Sequence, residues 1–247
     1  MNDLRPKGAF KFFPRLNGQK DLSWTSSRNL IDSVLAEALF SSDSLQDRLV
    51  RAMAAEQVIP IKEVLECFEF VARIRKDVRS ETMVDLCCGH GLVGMLFALF
   101  EPKVTSVTLI DIKEPPSLRK LLSCLLPIAP WIEEKITFQR SRLDNLADIP
   151  EGASIVSAHA CGLLTDQCIE MAVERKGNVA VLPCCYPKRS CNAPKALQLE
   201  FGHERAFDID RTYGLENAGY HVRWSTIPAV ITPMNRILMG MRRDAEV

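Results

Sequence analysis

The pattern of apolar and polar positions changes character twice along this chain. Between residues 27 and 78 the apolar positions recur at helical spacing. Leu30, Val34, Leu35 and Leu39 form one set, with Ser26 or Ser27 placed as its N-cap; Leu45, Leu49, Met53 and Val58 follow Ser44. Past Pro60, Val64, Leu65, Phe68, Val71 and Ile74 mark a buried stripe within 61–78. From Thr82 onward, short apolar runs alternate with amphipathic stretches. The runs at 82–87, 104–110, 136–140, 153–158 and 178–183 read as strands, and 92–100, 118–126, 164–174 and 208–218 read as helices. Such alternation predicts a parallel, doubly wound α/β sheet. Two last runs, 220–224 and 235–241, can pair as an antiparallel hairpin at its edge. A fold made of two dinucleotide-binding halves would continue with parallel βα units instead.

Ahead of these elements, residues 1–25 show no period. Pro6, Gly8, Pro14 and Gly18 interrupt them, and Arg5, Lys7, Lys11, Arg15 and Lys20 interleave with Phe10, Phe12 and Phe13. The segment is either a solvated arm with its phenylalanines tucked against the domain, or a basic aromatic arm that touches nucleic acid or closes over a site.

Composition narrows the class. At 247 residues the chain can form one α/β domain with additions and bury a substantial core. Lys+Arg and Asp+Glu both number 31, so nucleic acid can be attracted by local patches but not by bulk charge. No apolar run of membrane-spanning length and no leader pattern are visible, so no membrane association is expected. The nine cysteines are odd in number, and two pairs are adjacent, Cys87-Cys88 and Cys184-Cys185. That suits free thiols in a reducing, cytoplasmic setting better than a disulfide framework.

The stretch Met83 to Gly94 carries the chemistry. A short strand ends in Asp85-Leu86-Cys87-Cys88, turns at Gly89-His90-Gly91, and enters a helix at Leu92. Glycines at 89 and 91 allow a sharp turn and a close backbone approach to a ligand, and the helix start aims its N–H groups at the same space. About twenty residues on, a second strand ends in Asp111, the offset at which an α/β sheet places the acid that grips a ribose diol. Gly89 to Gly94 also matches G-x-G-x-x-G, so an NAD-dependent oxidoreductase is one reading. Asp85 opposes it, because a carboxylate repels pyrophosphate and favours a cationic amino-acid ligand.

Asp85-Leu86-Cys87-Cys88-Gly89-His90-Gly91 resembles the first motif, D-x-x-x-G-x-G, of class I S-adenosylmethionine-dependent methyltransferases. A narrower resemblance lies in Ala158-His159-Ala160-Cys161-Gly162 with Thr165 and Asp166, followed by Pro183-Cys184-Cys185-Tyr186. These blocks are similar to a methyltransferase-like subgroup and to tRNA 2′-O-methyltransferases of the acceptor stem. The latter carry an N-terminal zinc-binding segment, whereas here no cysteine or histidine precedes Cys67. The resemblance covers about residues 80 to 240. It implies a Rossmann-like class I fold, a seven-stranded, mostly parallel sheet with an N-terminal helical extension. It also implies S-adenosyl-L-methionine as cofactor and RNA, tRNA-like, as acceptor. The expected division is an arm and helical cover over 1–79 and a cofactor-binding methyltransferase domain over 80–247.

Ligands of open α/β sheets lie beyond the carboxyl ends of the strands. On the resemblance, Gly89 and Gly91 meet the methionine end of the cofactor, Asp85 its ammonium, Asp111 the ribose and Asp144 the adenine, with Cys87 packed alongside. His159, with Tyr186, positions or deprotonates the acceptor. Cys161, Cys184 and Cys185 allow a second route, thiolate attack on a pyrimidine, as in RNA cytosine-5 methyltransferases, provided that His159 or Lys188 lowers a thiol pKa. A zinc site from Cys184, Cys185 and Cys191 lacks the paired C-x-x-C spacing, so no metal is expected. The loop 187–195, with Lys188, Arg189 and Lys195, and Arg140 and Arg142 across the cleft, provides local charge for phosphate contacts. A different class of reading is a methyltransferase-like scaffold that binds cofactor without catalysis.

Overall fold

A computed structural model of the chain describes residues 8–146, 148–188 and 190–243. Arg5, Pro6 and Lys7 of the arm and Arg189 of the basic loop lie outside the described residues. Seven strands are formed, β1 (Thr82–Leu86), β2 (Ser106–Asp111), β3 (Ile136–Arg140), β4 (Ser154–Ala158), β5 (Val179–Leu182), β6 (Tyr220–Thr226) and β7 (Arg236–Arg242). The α-helices are α1 (Ser33–Leu39), α2 (Leu45–Ala55), α3 (Ile61–Val78), α4 (Leu92–Phe100), α5 (Pro116–Leu125), α6 (Leu164–Glu174), α7 (Lys195–Phe201) and α8 (His203–Asn217).

The strands form one sheet in the order β3-β2-β1-β4-β5-β7-β6. The first five pair in parallel, and β7 joins β5 and β6 antiparallel. This is the seven-stranded, mostly parallel α/β sheet with an edge hairpin expected from the alternation. The chain runs outward from β1 through β2 to β3 and then returns to place β4 on the other side of β1. The switch point therefore lies between the carboxyl ends of β1 and β4, where a ligand crevice opens.

Strand periodicity divides the core between the two faces. Met83, Val107 and Leu109 face a large cluster built with α3, α4, α5 and the arm, whereas Val84, Leu86 and Ile110 face a smaller one with Cys168, Ile169 and Leu215. The same alternation puts Asp85 on the Met83 face, 1% exposed, under α4. Glycine makes that packing close: a Cβ on Gly94 would stand 2.4 Å from Leu109 Cδ2 and 3.2 Å from Asp85 Cβ.

Three local readings are corrected. The first helix starts at Ser33, with Asp32 rather than Ser26 or Ser27 accepting from the Leu35 N–H. The preceding residues are held extended against the start of α3, where Ile61 and Lys62 donate to the carbonyls of Asn29 and Ser27. Of the apolar set read at helical spacing, Leu30 precedes this helix and Val34 is 82% exposed. The helix expected at 208–218 begins at His203, with α7 before it and Gly202 (φ +77°) between the two.

The arm tucks its phenylalanines against the domain, while Pro14, Arg15, Asn17, Gly18 and Lys20 stay exposed. Phe10, Phe12 and Phe13 are all buried, and Phe12 and Phe13 pack with Phe40, Phe68 and Phe100. Phenylalanines in this position cannot stack on nucleic-acid bases. Their backbone is clamped by Glu69, whose carboxylate accepts from the N–H groups of Lys11 and Phe12 (2.9–3.0 Å), and by Arg73, which donates to Ala9 O at 2.6 Å.

Candidate functional site

Two adjoining cavities open beyond the carboxyl ends of β1, β2 and β4. One, of about 230 Å³, lies under α3 and is lined by Glu63, Cys67, Asp85, Gly89 and Leu92 among others. The other, of about 510 Å³, is bordered by Asp111, Ser141, Arg142, Asp144, Cys161 and Leu164. Cys87 and His159 line both, so these two residues stand where the cavities meet. Both have left-handed backbone, φ +54° at Cys87 and +64° at His159, which costs on the order of 1 kcal/mol or more and is held by the strand ends on either side. The turn at each strand end carries the side chain off the sheet and into the crevice.

The glycine turn behaves as its spacing predicts. Gly89 (φ +51°) has nothing within 4 Å of where a Cβ would lie, so its backbone borders open space. Gly91 (φ +78°) is the N-cap of α4, and a Cβ there would stand 2.8 Å from Leu109 Cδ1. Asp111 braces the turn: its Oδ2 accepts from the Gly89 N–H at 2.9 Å and its Oδ1 from the Ile112 N–H at 2.7 Å. A carboxylate has lone pairs beyond these two bonds, which suits it to hydroxyl donors as well.

Asp85 accepts from the Gly94 N–H at 2.9 Å, and no other described residue donates to it. Burial raises its pKa to about 7; the Gly94 bond opposes the rise and the Asp111 charge adds to it. A buried carboxyl so poised is matched by a cationic ligand group in the cavity it lines. The cavity pair, the bare Gly89 backbone and the two carboxylates at different strand ends fit a ligand with an ammonium at one end and a ribose at the other.

His159 is not alone. Its Nε2 lies 3.1 Å from Glu66 Oε2, on a carboxylate that is 1% exposed and also takes Lys62 Nζ at 2.6 Å. Burial opposes ionisation of Glu66, but the hydrogen bonds and charges of His159 and Lys62 outweigh it and hold the carboxyl below its ordinary range. Glu66 is therefore an acceptor and Nε2–H donates to it, so that in the neutral imidazole the lone pair stands on Nδ1. Sequence reasoning missed Glu66. Glu66, Glu69 and Arg73 recur at i, i+3 and i+7, which reads as an ordinary solvated face, yet all three are buried because α3 is covered on two sides.

The cysteines after β4 and β5 gather. Cys161 Sγ lies 3.5 Å from Cys184 Sγ and 3.8 Å from Cys185 Sγ, and Cys184 and Cys185 are 3.7 Å apart. Burial, with the neighbouring thiols, pushes the Cys184 thiol well above its ordinary range, and burial also raises Cys161. That direction is opposite to the activation that thiolate attack requires. Cys87 is lowered by a hydrogen bond from Cys168 against the effect of burial. Cys191 is not part of the thiol cluster.

Tyr186 points elsewhere. Its hydroxyl donates to Asp208 Oδ2 at 2.8 Å and accepts from Arg236 at 3.2 Å. Arg211 joins Asp208 to Asp166, which it holds through two bonds of 2.7 and 3.0 Å. Thr165 donates to Ala160 O at 2.6 Å. The T-D pair of the sequence block thus secures the turn after β4, and the tyrosine secures the segment after β5 to the same network. Asp144 sits at the cavity mouth, 62% exposed, with Arg142 at 3.8 Å.

The profile of a family described as "Methyltransferase domain" matches residues 60–191, from the start of α3 to the loop beyond β5. A glutathione S-transferase C-terminal domain-containing protein of Xenopus laevis is 27% identical over 198 residues, 65% of this chain and 31% of that protein. Its Homo sapiens namesake is 26% identical, over 66% of this chain and 30% of that protein. The chain thus spans about a third of the length of these relatives. Among solved structures, a SAM-dependent methyltransferase from Aquifex aeolicus has a TM-score of 0.47 at 15% identity, covering 72% of this chain and 92% of that one. An rRNA methylase from Streptococcus thermophilus has a TM-score of 0.44 at 15% identity, covering 68% and 91%.

Proposed function

The chain belongs to the methyltransferase-domain family, and from that premise we propose that it transfers a methyl group from S-adenosyl-L-methionine to an RNA acceptor, with His159 as the base. The observation that carries this reading is the pair of cavities joined at Cys87 and His159, with Asp85 at one and Asp111 at the other. The smaller cavity takes the methionine end, with Asp85 toward its ammonium and the Gly89–Gly91 turn along it. The larger takes the adenosine, with Asp111 toward the ribose hydroxyls and Asp144 toward the base. When bound, the cofactor supplies an electrophilic methyl on a sulfonium.

The chain's own residues then have three tasks. The glycine turn and Asp111 orient the donor, which is where most of the rate advantage of an in-line displacement arises. Glu66 holds the His159 ring and leaves Nδ1 free to take a proton from a hydroxyl or amine acceptor, a contribution of about 10²–10⁴-fold. Tyr186 acts as a positioning residue, anchoring the segment after β5 through Asp208 and Arg236. The raised thiols of Cys161 and Cys184 support direct transfer over a cysteine–pyrimidine intermediate. Arg142 lines the larger cavity and Arg140 donates to Ile112 O at its edge, which supports an acceptor that carries phosphates.

Cofactor binding is the first test. S-adenosyl-L-methionine or its demethylated product at a hundredfold over Kd stabilises the fold by about 2.7 kcal/mol, read by thermal shift or calorimetry. Asp111→Ala, which removes charge-assisted bonds, weakens that binding at least about tenfold. A response to NAD and none to either methionine compound refutes the reading. Labelled methyl offered to RNA, protein and small-molecule fractions identifies the acceptor class, and label confined to protein or small molecules removes RNA.

A further inference from the structure

We propose that Cys161, Cys184 and Cys185 form a binding site for one zinc ion, with the fourth coordination position left to solvent. The thiols come from two separate segments, one following β4 and one following β5, and each Sγ lies within 3.8 Å of the other two. Three sulfurs bound at about 2.3 Å around a tetrahedral ion stand about 3.8 Å from one another. The observed edges of 3.5, 3.7 and 3.8 Å make a triangle of nearly that size, already closed before any ion is added.

Two further features fit a metal. Adjacent residues of a strand point to opposite faces, so Cys184 and Cys185 could not share a ligand if β5 continued through them. The strand stops at Leu182, and the irregular backbone beyond it turns both thiols to one side. Cys161 and Cys185 are exposed, so an ion can reach the cluster, and Cys161 borders the larger cavity. Three thiolates satisfy the soft-ligand preference of zinc, and a site of three protein ligands with an open position is the arrangement of zinc sites that exchange water or substrate. The ion ties together the segments that carry His159 and Tyr186. Zinc binding by the free protein is independent of methyl transfer.

The test uses the whole chain, purified with a thiol reductant and without chelator. Elemental analysis finds about one zinc per chain. Replacement by Co²⁺ gives a sulfur-to-cobalt charge-transfer band and the strong visible absorption of a tetrahedral ion. Cys161→Ser, Cys184→Ser and Cys185→Ser each weaken zinc at least tenfold in competition with a chromogenic chelator, whereas Cys191→Ser leaves it unchanged. Should a serine variant fail to fold, alkylation of the wild-type chain read by mass spectrometry decides instead: zinc shields Cys161, Cys184 and Cys185 and not Cys191. A weak, octahedral cobalt spectrum, dependence on Cys191, unshielded thiols, or a Cys161–Cys184 disulfide persisting in reductant overturns the site.

Discussion

Asp85 concentrates the electrostatic cost of the site in one residue. Its carboxyl is 1% exposed and titrates at about 7, raised by burial from an ordinary 3.8. Between these values the folded chain holds a proton that the unfolded chain has released, so stability falls as pH rises from about 4 to 7 and levels off above. The full span corresponds to on the order of 4 kcal/mol. Asp85→Asn keeps an acceptor for the Gly94 N–H and removes the titration. Urea unfolding at pH 5 and pH 8 should show the variant gaining on the native chain by about 2–3 kcal/mol at the higher pH, the part of the span that lies above pH 5, and a gap that does not change with pH contradicts the assignment. On the proposed reading the cofactor's ammonium comes beside this carboxylate, so at pH 6 its binding should release a proton, measurable by calorimetry in buffers of different ionisation enthalpy. The acid was readable from D-x-x-x-G-x-G. Its altered titration was not, because burial under α4 is a property of packing.

Among the elements, α4 and α3 hold the site in opposite ways. α4 needs the absence of a side chain, for Gly94 stands where a Cβ would meet Leu109, Val107 and Asp85 at 2.4, 2.9 and 3.2 Å. Gly94→Ala gains about 1 kcal/mol of helix propensity and incurs about 1–3 kcal/mol of overpacking. The expected net is a loss of up to about 2 kcal/mol by chemical denaturation, with weaker cofactor binding as α4 lifts from the sheet. Equal or greater stability would mean that the helix can shift freely. α3 works through buried charge. Glu69 pairs with Arg73 and accepts from the amides of Lys11 and Phe12, so Glu69→Ala strands a buried guanidinium and frees the arm. Breaking a buried pair in this way costs about 3–5 kcal/mol. Limited proteolysis should then cut near residues 8–16 before the sheet, and an arm that stays protected would show that the phenylalanines alone retain it.

Across the whole molecule, one hydrophobic cluster runs from Phe10 in the arm through Phe68 and Val71 on α3 to Met83, Leu109 and Met239 in the sheet. Because this cluster is continuous from the helical cover into the sheet, the described residues should unfold as one unit. Fluorescence and circular dichroism should report a single coincident transition, and two separated transitions would show that the cover melts independently. The sheet, its parallel core and its edge hairpin were legible in the sequence because period and strand length are local properties. So were the glycine turn and Asp111, since a strand-end spacing is also local. The path of the arm was not, and neither was the true start of the first helix, where Ser27 and Asn29 pair with the start of α3 instead of capping. The partnership of His159 with Glu66 joins residues 93 positions apart, and the triangle of Cys161, Cys184 and Cys185 joins two strand ends that are neighbours only in the sheet. The sequence by itself determined which segments become strands and where the glycine turn lies. Only the tertiary structure decided which polar groups are buried and which side chains meet, because burial and contact depend on how the layers stack.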